Sequence, residues 1–291
     1  MTKSVFSKVP NSRFWQCGAY RLNLRKHPLI MGILNVTPDS FSDGGLFMSA
    51  KQAIEQALRM EQEGADIIDI GGESTRPNAS PVSEKEELRR ALPVIVALSK
   101  KIKIPLSIDT TKAEVARQAM NHGVSIVNDV SGLTRDSNMG TIVAKSNAGL
   151  ILMHSKGTPQ TMQKYPRYGN VVREVYAFFE KQVHLAIEMG ISKTRLVVDP
   201  GIGFGKTVNH NLTLINQLSD FLPLEVPILI GPSRKSFIGK ILMPDKGPME
   251  GTAATVAIAI LRGARIIRVH NVAEMARVAR VADAICKGRI G

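Results

Sequence analysis

Cysteine is almost missing from this chain. Cys17 and Cys286 are the only two in 291 residues, too far apart for a metal or redox spacing. No disulfide framework or thiolate metal site can be built from them, and two free thiols in a reducing cytoplasm are expected. Histidine is also scarce, at six residues with no cluster suited to a transition metal. No Ser-His-Asp order and no activated cysteine is evident. No apolar run approaches the roughly 20 residues that cross a bilayer. The opening MTKSVFSKVPNSRFW lacks the apolar core of a secretory signal. No membrane role is expected.

Acidic residues are outnumbered, leaving a formal charge of +13. The excess sits at the ends. Residues 1–27 hold six basic and no acidic side chains, and residues 262–291 hold seven basic and two acidic. The body between them is nearly balanced. Aromatics are only 5% and are not interleaved with the basic residues, so a nucleic-acid platform is not expected.

What is present is a repeated unit: a short apolar strand, a polar loop, an amphipathic helix, then a glycine. The strands are LIMGILN to Asn35, ADIIDI to Ile70, PLSID to Asp109 and SIVND to Asp129. LILMH to His154, RLVVD to Asp199, PILIG to Gly231 and ARIIRVH to His270 complete them. Their near-continuous apolar runs suit strands covered on both faces. Helix starts carry a capping-box pattern or its Asn version at Ser49, Ser83, Thr111 and Asn271. Gly64, Gly123, Gly149, Gly190 and Gly263 read as left-handed C-cap residues. Pro93 predicts a kink or early break in the helix that contains it. Alternation of this kind demands parallel strands joined by crossover helices. Eight strands in about 260 residues predict an α/β fold, a single (β/α)8 TIM barrel over residues 28–291. Residues 1–27 form an N-terminal extension or hairpin. A doubly wound open sheet is the competing architecture.

Nearly every strand ends in a polar residue: Asn35, Asp69, Asp109, Asn128, His154, Asp199, Ser233 with Lys235, Arg268 with His270. In a barrel these ends share one face, where catalytic groups converge. Asp69 and Asp129 read as loop caps without a direct role. In GGESTRPNAS, Thr75 and Arg76 beside Pro77 can approach an anion. In DPGIGFGKT the spacing fits neither a P-loop nor a dinucleotide loop; its glycines would let backbone lie close to a flat ligand, with Asp199 aimed inward. Ser233, Arg234 and Lys235 offer cations to a phosphate or ring carbonyl. Arg268 and His270 share one face of their strand and make an anion site. Asn35 and the carboxylates are hard oxygen donors, so the one metal allowed is Mg2+ held jointly with substrate phosphates. These residues describe a barrel enzyme for a flat polar heterocycle and a phosphorylated group, working by positioning rather than covalent catalysis.

GILNVTPDSFSDGG (32–45), GGESTRP (71–77), SIDTTK (107–112), NDVSG (128–132), DPGIGFGKT (199–207), SRKSFIG (233–239) and RVH (268–270) occur in that order. With these motifs the chain resembles the dihydropteroate synthase family from about residue 28 to 286. The resemblance implies condensation of a dihydropterin methyl diphosphate with 4-aminobenzoate, releasing dihydropteroate and diphosphate in folate synthesis. It implies Asn35 as the Mg2+ ligand. It implies Asp109, Asn128, Asp199 and Lys235 around the pterin, with Met153 against the ring. Arg268 and His270 would hold the diphosphate, and Thr75, Arg76, Pro77, Phe204 and Ser233 would shape the aminobenzoate site. Asp109, Lys235 and Arg268 are the expected catalytic groups. Loops 36–48 and 71–82 would close over the site. The resemblance further implies a cytoplasmic homodimer, a sulfonamide target, with small-molecule substrates. Asn271 stands where an acidic residue is common in the family. A pterin-binding methyltransferase would lack TPDSFSDGG and GGESTRP, and a silent pterin-binding protein would not need a full set of diphosphate-site groups.

Overall fold

A computed structural model describes residues 13–37, 45–76, 79–164, 166–242 and 248–289. The chain opens with an antiparallel hairpin of β1 (Phe14–Cys17) and β2 (Tyr20–Asn23). Eight parallel strands follow. They are β3 (Leu29–Asn35), β4 (Ile67–Gly71), β5 (Leu106–Asp109), β6 (Ile126–Asp129), β7 (Gly149–Met153), β8 (Leu196–Asp199), β9 (Leu229–Ile230) and β10 (Ile266–Val269). Their order is β8-β7-β6-β5-β4-β3-β10-β9. A parallel bridge between Val198 and Ile228 joins the two outer strands and closes the barrel.

The helices that cover the strands are α1 (Gly45–Gln62), α2 (Glu84–Leu98), α3 (Ala113–Asn121), α4 (Met139–Ala144), α5 (Val171–Glu188), α6 (Val208–Asn216), α7 (Ser236–Ile241), α8 (Pro248–Leu261) and α9 (Val272–Lys287). No described helix is long and apolar enough to cross a membrane.

Side chains alternate across each strand, and the alternation divides the core in two. Ile30, Leu34, Ile68, Ile70, Ile108, Val127 and Leu152 face the helices in one cluster. Leu29, Met31, Ile67, Ile126, Ile151, Val197, Leu229 and Ile266 fill the barrel's N-terminal end in another. The hairpin plugs that end: Trp15, Cys17 and Leu24 join the inner cluster, and Trp15 Nε1 donates to the Arg195 carbonyl at 2.9 Å. Continuing each inner row by twos reaches Asn35, Asp69, Asp109, Asn128, Met153, Asp199, Arg268 and His270 at the C-terminal mouth.

Several local expectations change. Ser83 does cap α2, accepting from the Glu86 N–H at 3.3 Å. Ser49 lies inside α1, which starts at Gly45. The cap of α3 is Lys112, not Thr111, and the Ala113 N–H is satisfied by Asp136 Oδ2 at 2.8 Å. Asn271 makes no side-chain cap; its Oδ1 accepts from Arg234 Nη2 at 3.0 Å. Gly64, Gly123, Gly190 and Gly263 take positive φ. Gly149 does not; it opens β7, and a Cβ there would meet Cys17 Sγ at 2.8 Å. It is small because the hairpin plug presses against it. Helix α2 runs through Pro93 to Leu98, held by the buried Val94, Ile95 and Leu98.

Candidate active site

Arg268 stands at the centre of the mouth. From β10 its Nε donates to Asp69 Oδ2 at 2.6 Å and its Nη2 to Asp109 Oδ2 at 2.7 Å. Asn128 Nδ2 donates to the same Asp69 oxygen at 3.0 Å. Asp69 is completely buried and Asp109 nearly so. Burial pushes Asp109 up to about 7, and the positive charge of Arg268 opposes the rise. The second oxygens of both carboxylates are buried with no hydrogen-bond partner among the described residues.

Asp69 therefore does not cap a loop, contrary to the expectation from its position. It lies in the inner row below Gly71 and joins β4 to β6 and β10. Asp129 does behave as a cap: its carboxylate accepts from the Ser131 N–H and Oγ and from the Leu133 N–H.

Asp199 ends β8. Its Oδ1 accepts from the Gly201 N–H at 2.8 Å, and burial raises its pKa. Lys235 precedes α7, and its Nζ lies 4.1 Å from the centre of the Phe204 ring. Burial and the charge of Arg268 lower Lys235 to about 8, while Asp199 and Asp109 pull it back up. Three carboxylates, Asp69, Asp109 and Asp199, and two cations, Lys235 and Arg268, thus share one buried mouth. Met153 is buried on the inner row of β7. The Asn35 side chain ends β3 nearby: a Cβ placed on Gly71 would sit 3.6 Å from Asn35 Oδ1 and 3.8 Å from Asp109 Cβ.

His270 is neutral near pH 7. Burial, with Arg234, Arg268, Arg76 and Lys235 around it, lowers its pKa to about 3. Ser233 Oγ accepts from the His270 N–H at 3.3 Å and lies 3.0 Å from Nδ1. In the tautomer with the ring proton on Nε2, the Ser233 hydroxyl donates to Nδ1 and the Nε2–H is available to a ligand. The anion site expected from two cationic or donor groups thus consists of one cation and one neutral donor.

The loop after β4 is anchored from behind. Lys112 Nζ donates to the carboxylates of Glu73 and Glu87, the latter at 2.6 Å and fully buried. Glu73 Oε1 accepts from the Val82 N–H at 3.3 Å, and Arg90 Nη1 donates to the Gly72 carbonyl at 3.1 Å. Thr75 is half-buried on this loop and Arg76 is exposed. Pro77 and residues 38–44 of the first loop lie outside the described residues.

Two of the glycines of DPGIGFGKT have a packing purpose besides the expected approach to a flat ligand. Gly201, Gly203 and Gly205 all have positive φ. A Cβ on Gly201 would collide with the His154 carbonyl, and one on Gly205 with the Lys156 carbonyl. They let two neighbouring loops touch. Lys206 fastens the same contact: its buried Nζ donates to His154 Nδ1 at 3.0 Å and to the Phe204 carbonyl at 3.0 Å. Burial lowers Lys206 to about 7. His154 faces outward against Phe178, not into the mouth.

Asp69, Lys206 and the Glu73–Lys112–Glu87 group escaped the reading of the sequence. The first had a signal, since it is two residues from Ile67 on the inner row. The others had none. Among the described residues no group of three or more His, Cys, Asp or Glu side chains could hold a metal unaided.

Comparison with known proteins matches residues 31–270 to a family described as pterin binding enzyme. A dihydropteroate synthase from Synechocystis sp. is 53% identical over 262 residues, covering 89% of this chain and 91% of that protein. The crystal structure of Yersinia pestis dihydropteroate synthase with a sulfonamide drug complex superposes with a TM-score of 0.88 at 41% identity, covering 94% of this chain and 99% of that one. A Xanthomonas albilineans dihydropteroate synthase in complex with 7,8-dihydropteroate gives 0.83 at 36% identity, covering 94% and 98%.

Proposed function

The chain belongs to the dihydropteroate synthase family of pterin-binding enzymes, and on that premise we propose how its strand ends divide the reaction. It condenses 6-hydroxymethyl-7,8-dihydropterin diphosphate with 4-aminobenzoate to give 7,8-dihydropteroate and diphosphate. The observation that carries the residue-level reading is the meeting of Asp69, Asp109, Asn128 and Arg268 in one hydrogen-bonded cluster, with Asp199 and Lys235 close enough to shift one another's charge.

A pterin edge carries an amino group, ring N–H groups and a carbonyl. Asp109, Asp199 and the Asn128 carbonyl oxygen accept from the first two, and Lys235 donates to the last. Met153 supplies the apolar face. Arg268 and the Nε2–H of His270 bind the diphosphate. Thr75, Arg76, Phe204 and Ser233 border the aminobenzoate.

The C–O bond to diphosphate breaks first. Arg268 and His270 meet the charge that grows on the leaving oxygens. The positive charge left on the pterin methylene is spread into the ring, beside the carboxylates of Asp109 and Asp199. The neutral aromatic amine attacks that carbon and releases its proton afterwards, so no strong base is needed. The loop that carries Thr75 and Arg76 keeps water from the same carbon.

The donor chemistry at the mouth fits Mg2+ only in company with substrate. Asn35 would hold the ion through one neutral oxygen, together with oxygens of the bound diphosphate and water. When bound, the ion neutralises charge on the diphosphate.

Ile258 of α8 and Val281 and Ile285 of α9 are 45%, 62% and 66% exposed, and a homodimer through α8 and α9 would cover them. The free thiols Cys17 and Cys286 suit the reducing cytoplasm. Sulfonamides, as aminobenzoate mimics, compete for the second substrate site.

The test is to mix the protein with dihydropterin diphosphate, 4-aminobenzoate and Mg2+ and follow diphosphate. Release that depends on both organic substrates supports this reading. Pterin binding without release would reduce it to a silent binding protein.

A further inference from the structure

Asp69 is the one buried carboxylate at the mouth that the reaction above leaves without a task. It is fully buried at the middle of β4. One of its oxygens does two things at once: Oδ2 accepts from Arg268 Nε at 2.6 Å and from Asn128 Nδ2 at 3.0 Å. We propose that Asp69 is a positioning residue that sets the amide orientation of Asn128 and the hinge point of Arg268, and so selects a ligand edge that donates hydrogen bonds. This rests on the assignment of Asn128 to the pterin and Arg268 to the diphosphate.

The argument for Asn128 is one of sign. A carboxylate only accepts. Facing Asp69, the amide must turn its NH2 inward, because the flipped form would set carbonyl oxygen against carboxylate. The oxygen of Asn128 is then the atom left for a ligand. An amino or ring N–H group is accepted there, and a carbonyl in the same place is refused.

The argument for Arg268 is one of attachment. The guanidinium presents Nε and two NH2 groups in a fixed plane. Its Nη2 is held by Asp109 at 2.7 Å, a carboxylate that the pterin must also use. With Nε fixed on Asp69, the NH2 groups can exchange Asp109 for phosphate oxygens without the side chain losing its place. Asp69 takes no part in the exchange, since it is completely buried.

The test is Asp69→Asn, which keeps the shape but can present either amide atom to Asn128. Calorimetric titration uses two separate probes, 6-hydroxymethyl-7,8-dihydropterin and inorganic diphosphate with Mg2+. Loss of a charge-assisted bond and of a fixed amide is expected to weaken binding of each by about tenfold or more. The KM for 4-aminobenzoate should stay within about twofold of the wild-type value, by the same conversion. A merely structural carboxylate would lower the melting temperature and leave both affinities of the folded protein unchanged; that result overturns the proposal. Asn128→Ala is the control. If it binds the bare pterin as well as wild type does, the assignment of Asn128 fails and with it the premise. If it loses the pterin while Asp69→Asn does not, only the role of Asp69 fails. Should Asp69→Asn not fold, the side-chain amide of Asn128 is read by NMR in the wild type. Slow exchange of its NH2 protons, kept on pterin addition, supports the proposal. Fast exchange in either state overturns it.

Discussion

Replacing Arg268 by glutamine removes the cation around which the mouth is arranged. Its guanidinium bridges Asp69 and Asp109, which are 0% and 6% exposed. Without it two buried carboxylates face each other, with Lys235 the nearest remaining positive charge acting on Asp109. Breaking a buried pair by removing one partner costs about 3–5 kcal/mol. Part is recovered when Asp109 takes up a proton, because burial already holds its pKa at about 7. The deficit should therefore be smaller at pH 6 than at pH 8, by about 1–3 kcal/mol at 1.4 kcal/mol per unit. Catalysis suffers separately: losing a donor aimed at developing charge costs about 10²–10³ in kcat. Thermal unfolding at both pH values and a diphosphate-release assay read the two effects. A melting point on the order of 5–10 °C lower at pH 8 is expected. The double variant with Asp69→Asn should regain stability and not kcat. A melting point unchanged at pH 8, or kcat within about tenfold of wild type, would refute the reasoning.

Lys112→Met leaves Glu87 buried without its cation, and should cost about 3 kcal/mol on unfolding. The loop carrying Thr75 and Arg76 loses its anchor, so the KM for aminobenzoate should rise while bare-pterin affinity holds; equal losses for both substrates would count against this division. The pH dependence of pterin binding follows from Asp109, raised by burial to about 7. The free protein holds the proton below that value, so affinity should fall about tenfold per unit below pH 7; a flat response from pH 5 to 8 contradicts it. On the same account the ligand-free protein loses stability as pH rises from about 4 to 7, because the unfolded chain gives up the proton first. Trp15→Ala opens the plugged end and should cost about 3–5 kcal/mol, with kcat unchanged because the plug is remote from the mouth; a large kcat loss in the folded variant would oppose that separation.

The eight strands were legible because each is a short apolar run closed by a polar residue. What the runs concealed was parity. Asp69, Asp129 and His154 all looked alike as polar residues near strand ends. Counting by twos from the inner-core residues separates them: Asp69 follows Ile67 into the mouth, while Asp129 follows Val127 and His154 follows Leu152 to the helix side. The site residues were legible mainly through motifs, since charge and spacing alone reached only a flat heterocycle and a phosphate. The contacts of Lys112 with Glu73 and Glu87, and of Lys206 with His154, could not be foreseen, because those partners are distant in sequence. Gly149 was misread for the same reason: its small size answers to Trp15 and Cys17, far earlier in the chain.

The account depends on four side chains from four strand ends meeting one bicyclic ring. A crystal structure of the protein with dihydropterin diphosphate tests this directly. The ring should lie within hydrogen-bonding distance of Asp109, Asn128, Asp199 and Lys235 together, with its diphosphate on Arg268 and His270. A pterin bound elsewhere, or one that reaches neither Asp199 nor Lys235, would contradict it.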